Sequence, residues 1–312
     1  MAFALVYVIW VSTYLAIRVV VASIPPAASA AARFTIAGVL MLLYARLSGR
    51  AIRVPRRDAL SLAIVGFLLL VCGNGLVVWS EQFVASGLAA LMVATMPLWL
   101  AIMSAVIPRG ERLAPAGWSG VLLGFLGLVV LLWPKLGGAV SGDLRGEAAL
   151  ILAALCWSAG SLYSKRMTLT VAPLIATGWE MVFGGIILSV IAGASGEFSR
   201  FTPTPAGWLA LGYLVIFGSC VAFTSFVWLL QHVPAPKVAT YAYVNPLIAV
   251  LLGWLLLGEP LTLSMFLGTP LIVGAVALVT TAGVRTRTPL PLDEVEEPPA
   301  LAVAESSRRR AV

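Results

Sequence analysis

Bond-making chemistry needs nucleophiles, bases or metal ligands held close together, and this chain offers few of them. It has one histidine (His232), three cysteines and 13 acidic residues in 312. No H-E-x-x-H or G-x-S-x-G spacing occurs. Cys72, Cys156 and Cys220 are far apart, each inside an apolar run, with neither metal-ligand spacing nor a disulfide framework. They read as small buried hydrophobes, and no catalytic residue, metal or cofactor is expected. What remains suits recognition. Trp10, Trp99 and Trp157 stand mid-run, where an indole N–H needs a partner or water. Each could pack between helices or line a cavity, and Tyr14, Asn74, Ser161, Tyr241 and Asn245 add polar or aromatic groups to the same set. Arg18, Arg33, Lys165 and Glu180 are charges in apolar surroundings, costly there and therefore candidates for gating, structural pairing or substrate contact. Pro97 and Pro246 interrupt apolar runs and leave the carbonyls of Val93 and Ala242 without their helical donor. They are packing kinks or openings onto a watery path.

The elements that must position these residues follow from composition. Hydrophobic residues make up 61% of the chain and charged residues 11%, against about 25% charged in soluble domains. Lipid must replace water over much of the surface, so the fold class is an all-α polytopic membrane protein. Ten apolar runs lie near 2–22, 27–48, 58–82, 85–108, 116–134, 147–165, 173–195, 207–232, 235–257 and 263–283. Ala28-Ser29-Ala30 resembles a signal cleavage site, but nothing basic precedes Phe3 and the run contains Arg18, so it reads as a span. Trp118, Trp133 and Trp208 sit near span ends as interfacial anchors. Glu81 and His232 close the third and eighth spans and read as interfacial too, while Glu111 and Glu259 follow glycines at span ends as structural residues. Residues 284–312 mix prolines, acids and Arg308–Arg310, which cannot bury a core, so a disordered tail is expected.

Charge placement orients the spans. Fifteen of the 20 basic residues fall on one side if the N-terminus is cytoplasmic: Arg46 to Arg57, Arg109, Arg112, Lys165, Arg166, Lys237, and Arg285 onward. Only Lys135, Arg145 and Arg200 fall on the other side, which places both termini inside and explains the +7 net charge without nucleic acid. The sequence also repeats. Shifted by about 147 residues, Trp10, Leu15, Pro26, Gly38, Ser48 and Gly49 meet Trp157, Leu162, Pro173, Gly185, Ser195 and Gly196. Slightly larger shifts bring Trp79 and Pro97 onto Trp228 and Pro246, and Gly110-Glu111 onto Gly258-Glu259. Five spans per copy force the second copy to cross in the opposite sense. The expected organisation is a five-helix repeat over 1–134, a periplasmic connector at 135–146 and an inverted five-helix repeat over 147–283. Inverted repeats that rock about a midplane site are a common transporter design.

The run from Trp10 through Tyr14 to Arg18, then Pro25-Pro26 and Arg33-Phe34, resembles the start of an EamA domain. Pro97 followed by Gly110-Glu111-Arg112-Leu113, and Pro246 followed by Gly258-Glu259-Pro260-Leu261, resemble the same family, within the drug/metabolite transporter superfamily. Cys72-Gly73-Asn74-Gly75 and the Tyr241 to Pro246 segment are most similar to its YedA/YddG-like exporters. The resemblance implies a multi-pass bacterial inner-membrane exporter of metabolites, aromatic and other apolar amino acids in particular. It would work as a monomer in the lipid bilayer on a small-molecule substrate. An exporter of organic cations or nucleosides, or a facilitative channel, is the alternative. Small four-helix relatives carry a membrane-embedded Glu in their first helix. Here that region holds Ser12, Thr13 and Arg18, or Ser161 and Lys165 in the second copy, with no acid at that place.

Overall fold

A computed structural model describes residues 2–107, 112–136, 144–225, 229, 241–281 and 284–285. The expected features at Glu111, Trp228, His232, Lys237 and residues 286–312 lie outside the described residues, as does most of the 135–146 connector. The described chain forms α1 (Ala2–Val21), α2 (Pro26–Leu47), α3 (Arg56–Ser80), α4 (Ser86–Val106), α5 (Pro115–Leu136), α6 (Arg145–Arg166), α7 (Pro173–Ala194), α8 (Pro205–Ser225), α9 (Tyr241–Leu257) and α10 (Leu263–Thr281). Nine helices among the described residues are long and apolar enough to cross a membrane; α9 contributes a shorter apolar stretch, Asn245–Leu257. A two-residue antiparallel pairing joins Arg112–Leu113 to Val284–Arg285, tying the α4–α5 connection to the chain after α10.

Local sequence explains where helices start and stop. Pro26, Pro173 and Pro205 stand in the first turns of α2, α7 and α8, where a missing N–H costs nothing. Thr204 caps α8 by accepting the Gly207 N–H at 3.1 Å. Gly49 and Gly196 follow α2 and α7 at φ 77° and 68°, a left-handed stop that other side chains rarely adopt. Large apolar side chains such as Leu47, Leu122, Leu209, Leu263 and Phe266 point outward, as a lipid-facing surface requires. Trp118, Trp133 and Trp208 are exposed near the ends of α5 and α8.

In lipid, apolar burial drives helix association weakly, so close packing must do it. The most extensive contacts are α2 on α7 and α5 on α10. Gly38 lets the α2 backbone approach α7 so closely that a Cβ there would lie 2.7 Å from the Gly178 carbonyl oxygen and 2.8 Å from the Val182 nitrogen. One core gathers Leu91, Met92, Leu98, Leu128, Leu150 and Ile272 around α4, α5, α6 and α10. The other gathers Phe34, Met41, Leu70, Met181 and Val215 around α2, α3, α7 and α8. Two helices are irregular: α3 is a π-helix over Phe67–Gly75 and α8 over Leu214–Val221. Such widened turns concentrate at functional sites. The fourth helix breaks at Ala94–Thr95, just before Pro97, because Pro97 cannot donate to the Val93 carbonyl. Pro246 lies inside α9.

Candidate functional site

The irregular segments surround one cavity. It encloses about 910 Å³ of space, the open solvent at its mouth included. Its wall comes from seven helices. α1 supplies Trp10, Thr13, Tyr14 and Ile17; α2 supplies Arg33 and Phe34; α3 supplies Asn74 and Val77. α4 contributes Ala90 and the broken stretch from Val93 to Pro97, α6 contributes Trp157, α8 Gly218 and Phe223, and α9 Asn245 and Pro246. The lining is mainly apolar and aromatic. Trp10 meets Phe223 edge-on, with ring centroids 6.1 Å apart. Gly73 makes room for Trp157, since a Cβ there would lie 2.9 Å from the indole ring. The next residue, Asn74, lines the cavity.

Arg33 is the one charged side chain among the described lining residues, and the fold holds it firmly. Its Nε donates to Ser219 Oγ at 2.9 Å and its Nη1 to Asn74 Oδ1 at 3.4 Å, while the guanidinium lies 4.9 Å from the Phe34 ring centre. Arg33 therefore bridges the π-segments of α3 and α8. Gly218 allows this, because a Cβ there would come within 3.3 Å of Arg33 Nη2 and 3.0 Å of Thr13. Asn245 has the opposite situation: it is 9% exposed and its Oδ1 has no hydrogen-bond partner among the described residues. Asn245 stands in the cavity wall, and a buried amide oxygen there without a donor is costly to leave unmet.

The structure brings Trp10, Tyr14, Asn74, Trp157 and Asn245 together with both prolines and Arg33. It does not bring in Trp99 or Ser161. Trp99 is two residues past Pro97, about 200° round the helix. Since Pro97 faces the cavity, Trp99 faces α5, where it packs edge-on against Phe125 at 4.9 Å. Ser161 is half-buried on α6 away from the lining; Ser158, one turn earlier, reaches the α4 break and donates to the Met96 carbonyl at 2.9 Å. The Tyr241 backbone opens α9, and its side chain lies outside the described residues. Among the charges, Lys165 is exposed in the last turn of α6. Glu180 lies off the lining, where α7 crosses α3 at Gly66. Arg18 donates from Nη1 to the backbone carbonyl of Glu81.

Glu81 overturns the interfacial expectation. It is 0% exposed, and neither carboxylate oxygen has a hydrogen-bond partner among the described residues. Its place at the end of an apolar run, beside Gln82, suggests a headgroup-level residue. The sequence does not reveal that α1 and the α9–α10 connection fold over it. Glu259 in that connection accepts the N–H groups of Ser86 at 2.8 Å and Gly87 at 3.1 Å, capping α4 from the other end of the sequence. Its reading as a structural residue agrees with that bond, and its partner was not legible. Among the described residues, no group of three His, Cys, Asp or Glu side chains comes together to hold a metal.

A family model described as the EamA-like transporter family matches residues 1–133 and 144–281, and the chain belongs to that family. An Escherichia coli K12 protein described as the uncharacterized inner membrane transporter YedA is 40% identical over 275 residues, covering 88% of each chain. The Bacillus subtilis protein described as the uncharacterized transporter YoaV is 24% identical, covering 86% of this chain and 91% of its own. A solved structure described only as "Crystal structure of protein" shares the fold at a TM-score of 0.64 and 23% identity, covering 89% of this chain and 95% of that one.

Proposed function

We propose that this chain is a multi-pass inner-membrane transporter that exports small zwitterionic metabolites, aromatic and other apolar amino acids first among them, by alternating access. The observation that carries the reading is the cavity's chemistry. Trp10, Tyr14, Trp157 and Phe223 offer aromatic faces, Arg33 a fixed positive charge, and Asn245 an unspent acceptor. An aromatic side chain gains about 0.5–1.5 kcal/mol beyond burial from such faces. A carboxylate suits Arg33, and an ammonium suits Asn245 Oδ1 once that amide turns toward the cavity, whereas an organic cation would meet Arg33 with the wrong sign.

Ten helices in two inverted halves of five, with both termini cytoplasmic, complete the proposal. Several features support it. The pairing of α3 with α6 has its counterpart, when each helix is exchanged for the one five further along, in that of α1 with α8, and the packing of α4 on α6 in that of α9 on α1. The close approach of Gly38 to Val182 has its counterpart, under the 147-residue shift, in that of Gly185 to Thr35. The two π-segments begin at Phe67 and Leu214, also 147 apart. The decisive test uses purified protein in liposomes preloaded with unlabelled phenylalanine. Counterflow of labelled phenylalanine, or of tryptophan or leucine, supports a carrier of this class. Flux of nucleosides or organic cations alone overturns the substrate, and non-saturating flux without counterflow overturns the carrier.

A further inference from the structure

One end of the cavity is closed by a cluster that the transport reading leaves unused. Val77, Ile17 and Ala90 line the cavity. One turn or one residue beyond them stand Glu81, Arg18 and Ser86, with Glu259 bonded to the α4 terminus. The plug thus joins the first half of the chain to the second. At its centre Glu81 is fully enclosed, yet its carboxyl oxygens receive no hydrogen bond from the described residues.

The charged groups around Glu81 are committed elsewhere. Arg18 bonds the Glu81 backbone carbonyl, and Arg33 bonds Ser219 and Asn74. Both guanidiniums and the Glu259 carboxylate act on Glu81 through space. Glu259 already accepts two backbone N–H groups. From α6, which packs on this turn through Gly146, Glu147 is ion-paired with Lys135 at 2.6 Å and Arg145 lies over the Phe83 ring. Beyond Trp79, Glu197 accepts the Ala28 N–H at 2.8 Å. Among the described residues, no donor bonds the Glu81 carboxyl. An enclosed carboxylate without donors is costly, whereas the neutral acid costs far less.

We propose that Glu81 is a proton-binding site that latches this end of the pathway. With the proton bound, the neutral acid tolerates enclosure and the plug stays shut. When α1, α3 and the α9–α10 connection part, water reaches the carboxyl, which gives its proton to water and holds the plug open as a hydrated carboxylate. The proton site stands on the plug's geometry alone; only its consequence, linking proton binding to alternating access, rests on the transport reading.

The test needs no substrate, so it is separate from the amino-acid assay. Full-length protein in lipid nanodiscs is titrated by infrared difference spectroscopy, comparing the native residue with Glu81→Gln, and Glu81→Asp should the Gln variant not fold. The expected result is a carbonyl stretch of a protonated carboxyl that titrates in the parent, disappears in Glu81→Gln and shifts in Glu81→Asp. In a background of Cys72→Ser, Cys156→Ser and Cys220→Ser, a single Val84→Cys in the plug reports opening to a membrane-impermeant maleimide. Divided by the Glu81→Gln rate, which carries the pH dependence of the thiol itself, labelling should rise about tenfold per pH unit, the slope of one linked proton. Identical infrared titrations with and without the Glu81 carboxyl overturn the proposal, as does a flat rate ratio.

Discussion

At the scale of single residues, the cavity separates side chains that resemble one another in sequence. Trp10, Trp99 and Trp157 all sit mid-span, but only Trp10 and Trp157 reach the lining; Trp99 is turned to Phe125 by its distance from Pro97. Trp157→Ala should weaken uptake of an aromatic amino acid about tenfold in apparent affinity, the value of roughly 1.4 kcal/mol of lost aromatic contact. Trp99→Phe should leave that affinity within about twofold, because the packing on Phe125 is kept. Equal losses in the two variants, measured by counterflow in liposomes, contradict the cavity's assignment. Arg33 allows a sharper comparison. Arg33→Lys keeps the charge but loses the planar fork that holds Ser219 and Asn74. If Arg33 binds a substrate carboxylate, Arg33→Gln should lose more than Arg33→Lys, by about 1.5–3 kcal/mol or more than tenfold in affinity. Equal activity of the two variants makes Arg33 a bridge between α3 and α8 and nothing more.

Two elements carry the irregularity that the site depends on. The α4 break at Ala94–Thr95 puts Val93, Met96 and Pro97 into the cavity wall, and Ser158 satisfies the Met96 carbonyl. An interior proline costs an ordinary helix about 3 kcal/mol. Pro97→Ala should therefore keep or raise the melting temperature while lowering transport, and Pro246→Ala should behave alike. Normal transport by the double variant reduces both to packing kinks. The start of α4 depends on a residue far along the chain. Glu259→Ala strips the cap from Ser86 and Gly87 and should cost about 0.5–2 kcal/mol, read as a lower melting temperature. Glu259→Gln keeps one acceptor and should recover part of it.

For the whole molecule, the prediction is one of sidedness. Reporters active only in the cytoplasm should work when fused after Val284 or in the 46–57 connection, and a reporter active only outside should work between 135 and 146. Matching sidedness at the last two sites would break both the ten-span count and the inversion of the halves. The same arrangement places the Glu81 plug and the Lys135–Glu147 pair at one face of the membrane, and the Asp58 contact with Thr170 at 2.9 Å at the opposite face.

Helices, their approximate ends and their membrane-spanning character were legible in the sequence, because they depend on composition, period and local punctuation: apolar runs, Pro26 and Pro173 at starts, Gly49 and Gly196 at stops. Half of the site was legible for the same reason, since a mid-span Trp, Asn or Pro is conspicuous in an apolar run. Facing was not legible. An apolar helix in lipid has no polar side to reveal its inward face, so Trp99 and Ser161 look as well placed as Trp10 and Trp157. Partners distant in sequence were hidden for a further reason. Glu81 reads as an interfacial residue until α1 and Glu259 close over it, and Arg33 reads as an isolated charge until Ser219 and Asn74 arrive from two other helices. Only the tertiary packing of the helices decides those contacts, because each is made between residues that neither period nor neighbourhood along the chain brings together.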